Sequence, residues 1–468
     1  METTPIDAPR RLLVGLLAIG LTAAGPFAGI ARGALVHGSS GLGDPFFPRS
    51  GNGGYDVRHY ALRLRYSPGP KRLRATARIT AVATEGLSRF DLDFRGPKVS
   101  GLRVDRRPAR FRRRGQELIV TPRNGIPKGS HFMVRVRYRG KTHPTVDPDG
   151  SLDGWIPTSD GAFVAGEPRG APTWFPCNDY PTDKATYDFR VTVPNGTTAV
   201  ANGRLERRIR RPRHTIFVWH EGSPMATYLA TVTSGRFRTR SSHAGGIRSY
   251  VAVDPSEGRP GALLAGIEPI IKLFRGRFGP YPFSQTGAIV DSASAVGYAL
   301  ETQTRPLFPQ KPNQVTLAHE LAHQWFGDDV TPASWPDIWL NEGFATWAEW
   351  YWAQHLGGAT TKQRFDNLYA SHGGGDTQFW NPPPGDPGSP AKLFDATIYE
   401  RGAMALEALR ERVGPTAFFQ ILRDWVDAQR YRNATVQQFI ALAEVDSGQE
   451  LGGLFDAWLF APGKPTSW

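Results

Sequence analysis

His319-Glu-Leu-Ala-His-Gln-Trp-Phe-Gly-Asp-Asp-Val-Thr-Pro-Ala-Ser-Trp-Pro-Asp-Ile-Trp-Leu-Asn-Glu-Gly-Phe-Ala-Thr-Trp-Ala-Glu-Trp350 carries two histidines four residues apart, and Glu342 further on. Residues at i and i+4 share one face of an α-helix, about one turn apart. The segment 313–326 reads as such a helix, with Pro312 before it and Gly327 after it. His319 and His323 then project side by side, as two imidazoles on one Zn2+ would. Glu320 points to the flank of that position, where a general base acting on a zinc-bound water belongs. A catalytic zinc takes three protein ligands and keeps one position open. A second helix over 337–356, ended by Gly357-Gly358, offers Glu342 as the third. The loop between the helices is long enough to fold one back on the other. The expected metal set is His319, His323 and Glu342, holding one Zn2+ per chain.

The chain has 468 residues, enough for two or three domains with substantial cores. Cys177 is its single cysteine, so an internal disulfide is excluded and a small buried apolar role is expected. Arg10 and Arg11 precede an uncharged stretch over 12–31. That pattern reads as an export signal, with an uncleaved membrane anchor as the alternative, over 1–34. Residues 35–53, rich in Gly, Ser and Pro, read as a flexible linker.

The net charge of +13 is unevenly placed. Residues 1–240 hold 39 Lys/Arg against 19 Asp/Glu, and residues 241–468 hold 17 against 24. The step predicts a boundary near 240, giving domains at 54–240 and 241–468. Arg63, Arg65, Arg135, Arg137 and Arg139 alternate with apolar residues, the mark of an outward sheet face. No nucleic-acid role is expected of it. A solvated face and adhesion to an anionic cell envelope both remain open. From Tyr55 to about Arg240 the period is two with turn punctuation, which predicts an antiparallel β domain. Beyond it the period becomes helical: a stripe from Leu263 to Phe274, a helix over 398–413 stopped by Gly414, and a capping box of Thr435 with Gln438.

The histidine pair followed by Trp325-Phe326-Gly327, then Trp339-Leu340-Asn341-Glu342-Gly343-Phe344-Ala345, resembles the aminopeptidase N and leukotriene hydrolase family of zinc metallopeptidases. Thr173 to Phe189, Tyr55 to Leu64 and Leu454 to Pro465 resemble further segments of it, so the likeness covers nearly the whole chain from Tyr55. The resemblance implies a multidomain α+β fold: an N-terminal antiparallel β-sheet domain, then a thermolysin-like, mainly helical zinc peptidase domain. It implies a short form without the family's C-terminal helical domain.

It also implies roles. Tyr399, in Thr397-Ile-Tyr-Glu-Arg-Gly402, matches the family's oxyanion-binding tyrosine in Tyr-x-Lys-Gly, with Arg401 in place of the lysine. Glu301 matches the acid of the family's Gly-x-Met-Glu-Asn strand, which pairs with a substrate's α-ammonium. Ala299 and Leu300 fall at the pocket-lining positions before it. Glu167 matches a second amine-facing residue supplied by the β domain. Apart from the resemblance, Glu349 is expected to orient a zinc histidine, as carboxylates beside metal-binding imidazoles do. The implied protein is a secreted or envelope-bound, monomeric zinc aminopeptidase acting on peptides with a free N-terminus. The alternatives are a zinc endopeptidase or epoxide hydrolase on the same site, or a non-catalytic binding module.

Overall fold

Alternation of buried and outward side chains builds the first half of the chain. In Tyr55–Ser67 the residues Tyr60, Leu62, Leu64 and Tyr66 are buried while Arg63 and Arg65 face solvent. Each buried side chain of this size is worth roughly 1.5–3 kcal/mol, so a register slip of one residue is strongly disfavoured. The computed structural model describes residues 34–467, and the expected export signal or anchor lies almost wholly outside them.

Tyr55–Ser67 sits inside an eight-stranded sheet in the order Arg204–Arg210, His214–Met225, Ala185–Pro194, Tyr55–Ser67, Arg72–Ala83, His131–Lys141, Lys98–Val104, Arg107–Pro108. Its pairings are antiparallel except one, between Tyr55–Ser67 and Ala185–Pro194. The chain between these two strands is long enough to return in the same direction. A four-stranded and a five-stranded sheet complete the β domain.

The character changes close to the expected boundary. The five-stranded sheet takes its last strand at Val232–Gly235, and a new four-stranded sheet starts at Arg238–Ala244. The main helices that follow are Pro260–Phe278, Gln314–Ala322, Trp339–His355, Thr361–Ser371, Ala396–Ala428 and Val436–Ser447. Ala396–Ala428 is broken at Gly414 (φ 81°, ψ 157°), where the sequence stops its helix. Thr435 and Gln438 form the expected capping box.

The stretch 35–53 is not the flexible linker its composition suggests. Asn52 donates through Nδ2 to Asp93 Oδ2 (2.9 Å), and Val36–His37 pairs with Leu87–Asp93. Asp44 Oδ2 accepts from the Tyr180 hydroxyl (3.0 Å) and from the Trp335 backbone N–H (3.0 Å). One buried carboxylate thus clips this stretch to both halves of the molecule. Its glycines serve tight approach: a Cβ on Gly41 would lie 2.3 Å from the Pro48 carbonyl oxygen.

Candidate active site

The histidine helix is shorter than its sequence suggests. Asn313 caps it, accepting from Val315 N and Thr316 N (both 2.8 Å), and it runs Gln314–Ala322 with His323 at the C-cap. His323 keeps right-handed helical angles (φ −57°, ψ −23°), so it still projects beside His319. Their ring centroids are 4.8 Å apart. The helix Trp339–His355 lies against them and carries Glu342 in its first turn.

Three ligand atoms converge. Glu342 Oε2 lies 3.4 Å from His319 Nε2 and 3.4 Å from His323 Nε2. The far ring nitrogens are occupied: His323 Nδ1 is 3.0 Å from the Phe326 carbonyl, and His319 Nδ1 is 3.3 Å from Glu349 Oε2. With each Nδ1 hydrogen so engaged, each Nε2 presents a lone pair to the common point. Two imidazoles and one carboxylate, buried and within 4.8 Å of one another, suit zinc in number and type. His319, His323 and Glu342 are the residues that would hold it, and Glu349 stands beside His319 where it would orient that ring.

Glu320 is 5% exposed, and its Oε2 has no hydrogen-bond partner within the protein. Burial pushes its carboxyl up to about 7, against the opposing pull of His319 and His323. A base poised there exchanges protons near neutral pH. Tyr399 stands in the first turn of Ala396–Ala428, its ring centroid 6.0 Å from that of His319 at 21°. Burial, then the charge of Glu342, raises its hydroxyl well above the usual range, so it remains a donor.

A cleft of about 610 Å3 opens over these groups. Glu167, Ala299, Glu301 and Tyr399 all line it. Leu300 does not: it is 1% exposed and packs in the core. Neighbours along an extended segment face opposite sides, so with Ala299 and Glu301 turned to the cleft, Leu300 must turn away. Glu167, Glu301 and Glu342 each bring a carboxylate oxygen within 4.8 Å of the others. Burial, then the charge of Glu301, pushes Glu167 well above the usual carboxylate range; burial also raises Glu301, with His323 opposing. One oxygen of each, Oε1 in both, is buried with no partner in the protein.

Several positioning residues lie outside the motif reading. Gln324 donates from Nε2 to the Glu301 carbonyl (3.1 Å) and accepts from Thr304 N (2.8 Å), tying the Glu301 segment to the residue after His323. The β domain holds the same segment: Gly203 N donates to Thr304 Oγ1 (2.8 Å), and Arg305 donates to the carbonyls of Ala201 and Gly203. Tyr298 Oη donates to the Leu152 carbonyl (2.8 Å) from the other side. Lys184 Nζ donates to the carbonyls of Asp328 and Asp329 (3.1 and 2.9 Å), just beyond the histidine helix. Arg401 gives its guanidinium to the carbonyls of Trp458, Ala457 and Ala461 (3.0, 3.0 and 2.6 Å) and of Trp380, so it braces the tyrosine helix against the chain's last turns. Cys177 is buried in the β domain, as expected of it.

Fold and donor set together define a two-domain zinc metallopeptidase. Comparison with known proteins agrees. The Peptidase M1 N-terminal domain matches residues 57–229, and the Peptidase family M1 domain matches residues 296–458. A crystal structure of a two-domain M1 zinc metallopeptidase bound to L-arginine superposes with a TM-score of 0.81 at 30% identity, covering 90% of this chain and 98% of that one. The M1 zinc metallopeptidase of Deinococcus radiodurans bound to a Tyr-Ser-Ala substrate gives 0.81 and 30%, covering 91% and 99%. Aminopeptidase M1 of Arabidopsis thaliana is 30% identical over 332 residues, and glutamyl aminopeptidase of Rattus norvegicus 28% over 359, covering 64% and 68% of this chain. The chain spans 37% of the length of either of those two relatives. The chain belongs to the M1 family of zinc metallopeptidases.

Proposed function

We propose that this chain is a zinc aminopeptidase that removes single residues from the N-terminus of peptides. The observation that carries the reading is the pair of buried, unpartnered carboxylate oxygens of Glu167 and Glu301 beside the metal-binding trio. Two carboxylates held this close repel, and a substrate's α-ammonium is the group that relieves both. The relatives named as aminopeptidases, and the neighbour bound to a peptide substrate, support it.

Zinc bound by His319, His323 and Glu342 would supply Lewis-acid polarisation of the scissile carbonyl and acidify a water. The side chains do the rest. Glu167 and Glu301 hold the substrate's ammonium and so fix the first peptide bond over the trio. Glu320 takes the proton of the attacking water and passes it to the departing amine. Tyr399 donates its hydroxyl hydrogen to the carbonyl oxygen as that oxygen gains charge. The carboxylates of Glu167 and Glu301 favour a free N-terminus over an epoxide or an internal peptide bond, and the intact catalytic set speaks against a binding-only module.

The reading extends to place: an exported enzyme, supported by the charge pattern of residues 10–31. A panel of aminoacyl-coumarin substrates tests the activity. Turnover should be abolished by a zinc chelator and restored by added zinc. Turnover that survives complete zinc removal would contradict the proposal.

A further inference from the structure

The outward face of the eight-stranded sheet carries basic residues in register. Across neighbouring strands, Arg65 lies opposite Arg74, Arg74 opposite Arg139, and Arg139 opposite Lys98. Two residues along, Arg190 lies opposite Arg63, and Arg137 stands beyond Thr76 in the same row. In the next row Arg78 faces Arg135, and Arg135 faces Arg103. Arg72 faces Lys141 at the near end. Strands lie roughly 4.8 Å apart and same-face residues roughly 6.8 Å apart along a strand, so the cations form a grid.

Among the described residues none of these cations makes an ion pair. The one carboxylate within these rows, Asp188, is engaged by His59 and His220. Like charges directly opposite on a sheet are destabilising, and here they recur from strand to strand. Arg137, burial and then Arg103 hold the Arg135 guanidinium below the usual arginine range. A groove of about 250 Å3 runs at one end of the grid, lined by Arg103, Arg135, Arg137 and Pro108.

We propose that this face binds a phosphodiester polymer with a flexible, base-free backbone, holding the peptidase on that polymer at a site separate from the catalytic cleft. Arginine dominates the grid, and its planar fork matches phosphate oxygens in pairs. The rows contain no aromatic side chain, which single-stranded nucleic acid binders use as stacking platforms. The face is five strands wide, roughly 19 Å, whereas a DNA major groove of about 12 Å admits only a two-stranded ribbon. Within its arginine rows it offers no large apolar side chain to enter a lipid surface; Met133 and Val82 lie beyond them on the same face.

The test uses fluorescein-labelled poly(glycerol phosphate) and the full chain, read by anisotropy across salt concentrations. The wild-type chain should bind, with affinity falling linearly on logarithmic axes as salt rises. The triple variant Arg63→Glu, Arg74→Glu, Arg135→Glu should bind at least 100-fold more weakly, with kcat/KM on an aminoacyl-coumarin within twofold of wild type. It should melt no lower than wild type, because each new carboxylate faces an arginine. A control with the same charge change on exposed positions elsewhere, Arg238→Glu, Arg259→Glu and Lys311→Glu, should bind within threefold of wild type. No binding by the wild-type chain, or equal loss in the control, would overturn the proposal. So would tighter binding to duplex DNA of equal phosphate number, or to anionic vesicles, than to the polymer. Because peptidase turnover is read in parallel, failure here is separable from failure of the aminopeptidase reading.

Discussion

Gly343 and Gly402 meet backbone to backbone. A Cβ on Gly343 would lie 3.0 Å from the Gly402 carbonyl carbon, and a Cβ on Gly402 would lie 3.1 Å from the Gly343 Cα. Gly343 follows the metal-binding Glu342, and Gly402 lies one turn after Tyr399. The contact therefore sets how close the tyrosine helix comes to the metal-binding trio. Gly402→Ala must push these helices apart by a few tenths of an ångström. Overpacking of this kind costs about 1–3 kcal/mol. The variant should melt at lower temperature and lose kcat out of proportion to its zinc content, because Tyr399 moves off the oxygen it serves. Thermal unfolding, bound zinc and kcat measured together decide it; an unchanged kcat would show that the helix spacing does not position Tyr399.

Tyr399→Phe keeps the ring over His319 and removes the donor. One donor to a developing oxyanion is worth roughly 10²–10³ in rate. Steady-state kinetics should show kcat reduced by that order with KM changed only a few-fold. A change confined to KM would assign Tyr399 to substrate binding instead.

Among the described residues, Glu349 would act on a bound metal through His319 Nδ1, at 3.3 Å. Glu349→Gln should weaken zinc binding by about 10–100-fold. At saturating zinc it should keep most of its turnover. Competition against a chromophoric chelator reads the affinity directly, and wild-type affinity would remove Glu349 from this role.

These assignments differ in how visible they were in the chain. The histidine pair, Glu320 and Glu342 follow from local spacing, because helix geometry fixes which residues share a face. Glu301, Glu167 and Tyr399 needed the family resemblance, since nothing local distinguishes them from other acids and tyrosines, and Glu349 rested on the general habit of carboxylates beside metal-binding histidines. Gln324, Lys184 and Arg401 escaped both routes as site-holders. Each works through carbonyls supplied by distant parts of the chain, and a backbone carbonyl leaves no mark in a sequence. Leu300 was misplaced because a motif position says nothing of which side of the strand faces the cleft. The stretch 35–53 looked mobile because its glycines and prolines resemble a linker, while the few polar residues that fix it, Asp44 and Asn52, have partners far along the chain. The basic face was legible as alternation, but its cross-strand rows required the register.

Asp291 gives a stability test away from the zinc. Burial, then the charge of Asp160, raises its carboxyl to about 7. The unfolded value is near 3.9, so between the two the folded chain binds the extra proton. This contribution to stability is complete below about pH 4 and is lost as pH rises through 7. Asp291→Asn mimics the protonated form and can still accept from Ser292 N, a bond of 2.9 Å in the wild type. Its melting temperature relative to wild type should therefore be higher at pH 8 than at pH 4.5. A difference independent of pH would contradict the raised pKa.

Glu301 and Glu167, on the proposed function, read a free N-terminus. A free α-ammonium has a pKa of about 7.7–8.0 and is largely charged at neutral pH. An N-acetylated peptide offers no charge and leaves both buried carboxylates without a partner. Mass spectrometry of one peptide in free and acetylated form, followed over time with the zinc-loaded enzyme, measures the difference directly. The free peptide should lose one N-terminal residue at a time and the acetylated copy should be cut little or not at all, with Glu301→Ala erasing the discrimination. Internal fragments, or equal cleavage of the two peptides by the wild-type enzyme, would contradict it.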